Sequence, residues 1–167
     1  PIIDVSSLQD LLKITQDLDT YEHLCWFRKA CEEFKKGKSF EFDIPKNDIC
    51  HKEKKEKTKG ACGLNSVELE AIGDYTGSYY GCMNRYLRQT DKKSPAVDAY
   101  IQLLNRALDK LPNYEGIVLR GSNLPDNIRE QHKVGNVVTY SSFTSTSTNT
   151  AFPGQDKFII ISKTGKP

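Results

Sequence analysis

The sequence predicts an α+β fold with helices first and strands afterwards. Apolar residues recur at helical spacing as far as Pro112, and short β-branched runs follow it. This order indicates segregated helices and strands rather than alternating βαβ units, and there is no internal repeat. With 167 residues, the chain is expected to form one domain, or one domain with a small helical appendage.

Two short helices are predicted near the N-terminus. Ser6 or Ser7 caps the first, and Thr20 begins the second, which ends at Gly37. The segment Ser39–Ile44 then alternates apolar and polar residues, which predicts a short strand or an extended connection.

Two longer helices carry stronger signals. Asn65 and Glu68 resemble a capping box that opens a helix reaching about Arg88. Ser94–Pro95 begins another, which Pro112 ends. The predicted apolar faces are Leu69, Ile72, Tyr79, Met83 and Leu87 in one helix, and Val97, Tyr100, Ile101, Leu104, Leu108 and Leu111 in the other.

Three strands are predicted after Pro112, in the runs "GIVLR", "NVVTY" and "KFIIIS". The segment Val137–Phe152, "VVTYSSFTSTSTNTAF", carries an unusual number of hydroxyl side chains. These fit a Thr-rich strand or a flexible linker, or they line a binding site.

Composition and charge exclude several classes of function. The formal net charge is only +2, which predicts no nucleic-acid partner. Glutamates interrupt the basic run His51–Gly60, so a solvated loop is expected there. No apolar run is long enough to span a bilayer, and no signal sequence is recognisable. Because the chain begins with Pro1, we expect a processed product or a fragment.

The five cysteines form no C-x-x-C pair, and their number is odd, which predicts reduced thiols in a cytosolic setting. Cys50 and His51 are adjacent, but no second pair stands at ligand spacing, so no metal site is expected. His23 and His132 are expected to be ordinary surface or core residues.

The longer of the capped helices carries candidate binding residues. Gly73, Gly77 and Gly81 recur every four residues along one side, which indicates either close packing of another backbone or room for a ligand. Tyr80 and Asn84 share a face, where they can donate and accept hydrogen bonds. Tyr75 is five positions before Tyr80, so it lies on a different side of a regular helix. It joins the other two residues only if the helix bends.

Arg120 ends the first predicted strand and is followed directly by Gly121. A guanidinium at this point can bind a phosphate through two N–H groups, and the glycine lets a ligand approach the main chain. An arginine that is simply solvated is the alternative interpretation.

The segments "YTGSYYGCMNRYLR", "LPNYEGIVLRGSNLP", "VTYSSFTSTS" and "AFPGQDKFIIISKTGKP" together resemble the bacterial mono-ADP-ribosyltransferase toxins and effectors of the arginine-serine-glutamate class. The resemblance covers about Asn65 to Pro167. It implies an ADP-ribosyltransferase-like fold, with N-terminal helices packed on a two-sheet β core and an NAD cleft. It also implies two parts of the chain, a helical segment with a basic loop over 1–64 and the transferase core over 65–167.

The resemblance implies a role for each candidate residue. Arg120 would hold the phosphates of NAD, and Gly121 would present its backbone to the nicotinamide carboxamide. Ser145 would orient the catalytic glutamate, so Arg120 and Ser145 are the predicted catalytic residues. The other predicted NAD-binding residues are Thr146 and Ser147 of the S-T-S strand, Phe152 packing on nicotinamide, and Tyr75, Tyr80 and Asn84 on the helix.

The implied activity is transfer of ADP-ribose from NAD to a side chain of a host protein, with NAD as substrate and no metal. Such a protein would be secreted or injected by a bacterium and would act in the host cytosol. Two alternatives stay open, namely an NAD glycohydrolase and an inactive module that binds NAD or protein.

The glutamate of the family, commonly found as E-x-E on a later strand, is not visible after Phe152, and we expect it downstream of Pro167. The literal match Glu68-Leu69-Glu70 lies in a predicted helix. Residues two apart on a helix point away from each other, whereas on a strand they share a face, so this match is not the catalytic pair.

Overall fold

The structure is a computed structural model that describes residues 21–36, 60–88 and 94–167, together with the backbone of 2–3 and 44–45. The predicted helix after Ser6 or Ser7 and most of the predicted segment Ser39–Ile44 lie outside these residues. The chain divides into two compact units, Pro1–Leu111 and Pro112–Pro167. The separate division between residues 64 and 65, which the family resemblance implies, remains a prediction.

The first unit is mainly helical. Its helices are α1 (Tyr21–Lys35), α2 (Ser66–Asp74), α3 (Tyr80–Arg88) and α4 (Pro95–Asp109), with a 3₁₀ turn at Ala61–Gly63 and a π-helical turn at Tyr75–Tyr79. Strand β1 (Ile2–Ile3) pairs antiparallel with β2 (Ile44–Pro45).

The N-caps predicted for the two longer helices are confirmed. Asn65 Oδ1 accepts a hydrogen bond from Glu68 N at 2.8 Å, and Ser94 Oγ accepts one from Val97 N at 3.4 Å. These side chains satisfy main-chain donors that the first turn leaves without partners, so α2 and α4 begin where the sequence predicts.

The core of the helical unit is built around stacked aromatic rings from α1 and α4. Phe27 and Tyr100 stack with ring centroids 3.7 Å apart, and the Tyr100 hydroxyl donates to the Ala71 carbonyl at 2.5 Å. Both rings are fully buried, as is Trp26. Because the hydroxyl reaches a main-chain acceptor, this large side chain can be buried without losing a hydrogen bond.

The prediction of reduced thiols is wrong. Cys31 of α1 and Cys82 of α3 form a disulfide across a separation of 51 residues, with Cα atoms 5.8 Å apart, and Cys25 is also disulfide-bonded. Cys62 is a free, exposed cysteine. Disulfide pairing depends on which helices pack together, and neither cysteine count nor local spacing reveals that.

The predicted apolar face of α2 is partly wrong. Leu69 is 46% exposed, whereas Val67 and Ala71 on either side of it are buried. Met83 of α3 is buried as predicted. The buried side of α2 consists of Val67, Glu68 and Ala71. It includes a charged residue that pairs with Lys110, and a pattern of apolar residues alone cannot identify such a position.

The second unit contains an antiparallel pair of strands, β3 (Tyr114–Ser122) and β4 (Asp156–Gly165), and the short helix α5 (Asp126–Arg129). Opposite pairs in the register include Leu119 with Ile159 and Arg120 with Phe158. The first and third predicted strands are therefore confirmed, and helices followed by strands make this an α+β chain.

The predicted strand "NVVTY" is wrong, because residues 136–140 adopt no strand. Val137 is 94% exposed, and nearby Val134 is fully exposed. β-branched side chains favour a strand only where a neighbouring strand pairs with them, and none of the described strands pairs with this segment.

Each helix in the described part of the chain is too short or too polar to span a bilayer.

Candidate functional site

The C-terminal end of β3 brings Arg120 together with the predicted S-T-S segment. Arg120 Nη1 donates to the Ser145 carbonyl at 2.9 Å. One residue earlier, Leu119 and Ser147 exchange two main-chain hydrogen bonds, of 2.7 and 2.9 Å, in an isolated antiparallel bridge. Residues far apart in sequence are therefore joined where the resemblance predicts NAD-binding groups.

The bond to Ser145 orients the Arg120 guanidinium without using its full hydrogen-bonding capacity. A guanidinium carries five N–H donors, and among the described residues only the Ser145 carbonyl accepts from Arg120. Arg120 is partly exposed. Its remaining donors form a planar group suited to two oxygens of a phosphate.

The S-T-S segment is not the strand that was predicted, because within the described part of the chain its only β-pairing is the bridge at Ser147. The Ser147 hydroxyl accepts hydrogen bonds from Asn149 N and Thr150 N, each at 3.3 Å. A serine hydroxyl bonded to the next amides makes a tight turn, which bends the chain away from β3 after one bridge. Of the other two, Thr146 is exposed and Ser145 is partly exposed.

Gly121 lies against the main chain of Phe152. A Cβ added at Gly121 would be 2.7 Å from the Phe152 carbonyl carbon, and one added at Gly154 would be 2.6 Å from Ser122 O. The two segments thus cross in direct backbone contact, which only glycine permits. The Phe152 side chain is 57% exposed, so its ring lies at the surface beside a fixed backbone.

Asp156 and Arg129 hold the loop after Gly121, and no sequence pattern predicts this pair. Arg129 Nε donates to Asp156 Oδ1 at 2.7 Å, and Arg129 Nη2 donates to Asp156 Oδ2 at 3.1 Å. Leu124 N also donates to Asp156 Oδ2, at 2.8 Å. The Arg129 hydrogen bond, followed by the one from Leu124, lowers the pKa of Asp156 to about 2.

A second group missed from the sequence surrounds His132. Its Nδ1 donates to the Ile128 carbonyl at 2.8 Å, which leaves Nε2 to accept from the Tyr140 hydroxyl. The His132 ring also lies 5.5 Å from the Phe158 ring, and Phe158 is opposite Arg120 in the β3–β4 register. His132 therefore links α5, the segment at Tyr140 and β4 instead of standing alone.

Tyr75, Tyr80 and Asn84 belong to the helical unit. The condition under which Tyr75 could join the other two is met, because residues 75–79 form a π-helical turn. Gly77 departs from helical torsion angles within it, with φ −98° and ψ −114°. In a π turn, residues five apart lie closer to one side than in an α-helix. Tyr80 is 56% exposed, whereas Asn84 is largely buried.

The glycines of this helical segment are not explained by close packing within the described residues. A Cβ added at Gly73, Gly77 or Gly81 meets nothing within 4 Å. Of the two explanations that the sequence left open, room beside the helix is the one that this observation favours.

The literal E-x-E is helical and internally paired. Glu68 is fully buried and accepts from Lys110 Nζ at 2.6 Å. Glu70 accepts from Arg28 Nη2 at 3.3 Å, while Arg28 also binds Asp74. Both carboxylates have structural partners, in agreement with their rejection as the catalytic pair. No group of three or more metal-ligating side chains occurs in the described ranges.

Comparison with known proteins assigns the chain to a family. Residues 50–162 match the family described as ADP-ribosyltransferase exoenzyme. Mav of Mycobacterium avium (strain 104), a candidate NAD(+)–arginine ADP-ribosyltransferase by name, is 42% identical over 109 residues, which is 62% of this chain and 13% of Mav. Tre1 of Serratia proteamaculans (strain 568), named NAD(+)–protein-arginine ADP-ribosyltransferase, is 34% identical over 104 residues, which is 62% of this chain and 23% of Tre1.

A third relative, Vis of Vibrio splendidus (strain 12B01), is 40% identical over 90 residues, which is 51% of this chain and 36% of Vis. The chain thus spans only a minor part of each relative. The family match, in contrast, covers more than half of the 167 residues and includes Arg120, Ser145 and Phe152. The chain belongs to the ADP-ribosyltransferase exoenzyme family.

Proposed function

We propose that the second unit binds NAD at the C-terminal end of β3, and that the protein containing it transfers ADP-ribose from NAD to an arginine side chain of another protein. The family match and the arginine named in the relatives support this activity. The observation that carries the binding site is the Arg120 guanidinium, which is held by the Ser145 carbonyl and whose other donors have no acceptor among the described residues.

The chemistry of the transfer explains why such a guanidinium is useful. The bond between ribose and nicotinamide breaks through a ribose that carries positive charge, and the fixed groups of the site must keep the dinucleotide aligned while this happens. Arg120 would bind the diphosphate, and the exposed Phe152 ring would pack on nicotinamide. Gly121 would present its main chain to the carboxamide.

The remaining assignments keep the roles that the family resemblance gives them. Ser145 would orient the catalytic glutamate, and Thr146 and Ser147 would shape the wall of the site. Tyr75, Tyr80 and Asn84 are proposed as further NAD-binding residues. The two-sheet core and the cleft for NAD belong to the same proposal.

Export from a bacterium is proposed as well, with the host cytosol as the place of action. The Cys31–Cys82 disulfide supports passage through an oxidising environment, because disulfides form and persist there.

Replacing Arg120 tests the NAD site. We expect Arg120→Ala to raise the Kd for NAD by about 10-fold to 100-fold, since charge-assisted hydrogen bonds contribute about 1.5–3 kcal/mol each. Arg120→Lys should give an intermediate Kd, because it keeps the charge and loses the planar group of donors. Isothermal titration calorimetry measures both, with thermal unfolding to verify that each variant is folded.

Lys163→Ala is the matched control, since Lys163 is an exposed cation on β4 whose loss changes the net charge equally. It should bind NAD as the wild type does. An unchanged Kd for folded Arg120→Ala would show that the phosphates bind elsewhere.

A further inference from the structure

Asp156 connects two segments that flank the proposed NAD site. It is the first residue of β4 and lies opposite Ser122, the last residue of β3. Its carboxylate accepts two hydrogen bonds from Arg129 and one from Leu124 N. Arg129 Nη2 in turn donates to the Leu124 carbonyl at 3.0 Å. We call Asp156, Arg129 and Leu124 the carboxylate clamp.

The carboxylate clamp joins the two segments whose backbones cross at Gly121. Leu124 follows Gly121 by three residues, and Asp156 follows Phe152 by four. Between them, Asn123 Oδ1 accepts from Gln155 N at 2.8 Å, which is a second tie between the same two segments. These ties therefore hold the main chain of Phe152 close to that of Gly121.

The hydrogen bonds and charges around Asp156 indicate that its carboxylate has a structural role as an anion. The arginine contacts the carboxylate with two roughly parallel hydrogen bonds, the strongest arrangement for this pair. The Asp156 side chain is only 16% exposed, whereas Arg129 is 42% exposed. The pKa of Asp156 is depressed, so the carboxylate stays ionised well below neutral pH and cannot serve as a proton donor there.

We propose that the carboxylate clamp is a positioning device for NAD, which holds the main chains of Phe152 and Gly121 at the separation that the nicotinamide end requires. This inference rests on the proposed function. Asp156 and Arg129 would touch no substrate. Without the clamp, the loop after β3 and the turn before β4 would sample more arrangements, and NAD would have to select the competent one.

Asp156→Asn tests the proposal, because it removes the charge and keeps the shape. We expect it to raise the Kd for NAD by about tenfold and to accelerate hydrogen exchange at the Leu124 amide. Asp126→Asn is the matched control. Asp126 also accepts from Arg129, at 2.6 Å, but its side chain is 91% exposed and its partner is only three residues away. That variant should leave both the Kd and the exchange rate unchanged.

Arg129→Lys provides a second variant, which keeps the ion pair and loses the paired hydrogen bonds, and its Kd should fall between the wild type and Asp156→Asn. Faster exchange in both variants with an unchanged Kd for NAD would overturn the positioning role, because the clamp would then stabilise the loop only. This outcome is distinguishable from failure of the proposed NAD site, because a site elsewhere would leave the Kd of Arg120→Ala unchanged. A wild type that binds no NAD would overturn both proposals.

Discussion

At the scale of single residues, Gly121 illustrates how a correct signal can have an incomplete explanation. Its position after Arg120 indicated close approach to the main chain, and such an approach exists. The group that fills the Cβ position is the Phe152 carbonyl, however, and no local sequence pattern identifies it. Packing against Phe152 therefore requires glycine at position 121 whether or not NAD binds there. The predicted contact between Gly121 and NAD stays a prediction.

Gly121→Ala should therefore reduce stability before any ligand is added. The new methyl group would overlap the main chain of Phe152, and backbone cannot move away as a side-chain end can, so we expect a loss of about 1–3 kcal/mol or more. Gly81→Ala is the control, because nothing lies within 4 Å of its added Cβ. That change should raise the free energy of unfolding by about 0.5–1 kcal/mol, because alanine has a higher helix propensity than glycine. Denaturant unfolding of both variants measures the difference, and equal stabilities would contradict the backbone crossing.

At the scale of elements, helix starts were predictable and loop structure was not. The Asn65 and Ser94 caps act within three residues, so their effect can be read from the sequence alone. Strands β3 and β4 were also predictable, since each is a compact apolar run. The segment at residues 136–140 has comparable composition, but its structure depends on partners elsewhere in the chain.

The candidate site shows the same division between local and distant information. Arg120, Ser145 and Phe152 were identified through motifs whose order along the chain matches a family. The carboxylate clamp was missed, because Asp156 and Arg129 are ordinary charged residues 27 positions apart until the β3–β4 pairing brings them together. The charges of Asp156 and Arg129 do not by themselves indicate which of the many oppositely charged residues each one contacts.

The disulfide between α1 and α3 ties two elements of the helical unit together covalently. Closing a loop of 51 residues lowers the entropy of the unfolded chain enough to contribute about 4 kcal/mol. We expect the double variant Cys31→Ala and Cys82→Ala to lose stability of that order in denaturant unfolding.

Cys62→Ser is the appropriate control, since Cys62 is exposed and free, and it should unfold as the wild type does. Adding a reductant should lower the unfolding midpoint of the wild type to that of the double variant or below it, because the reductant also opens the disulfide of Cys25. A wild type whose midpoint is insensitive to reductant would show that the helices need no covalent tie.

At the scale of the whole molecule, the family assignment and the acceptor rest on different grounds. Membership follows from a match over residues 50–162, and the motifs that carry it are local enough to be recognised in one sequence. The proposed arginine acceptor rests on the names of relatives, and this chain spans only 13% to 36% of Mav, Tre1 and Vis. The arginine in the names of these relatives therefore enters as a proposal that needs its own test.

A small guanidinium compound distinguishes arginine transfer from hydrolysis of NAD. In the transfer, the bond between ribose C1′ and nicotinamide breaks, a bond from C1′ to a guanidinium nitrogen forms, and that nitrogen loses a proton. With the natural full-length protein that contains these residues, agmatine should increase nicotinamide release and accumulate as its ADP-ribose adduct. Cadaverine, a diamine of similar length without the guanidinium, should do neither. Mass spectrometry of the products and chromatography of nicotinamide measure the two quantities. If nicotinamide release is equal with agmatine, cadaverine or neither, and free ADP-ribose is the product, water is the acceptor and the protein is a glycohydrolase.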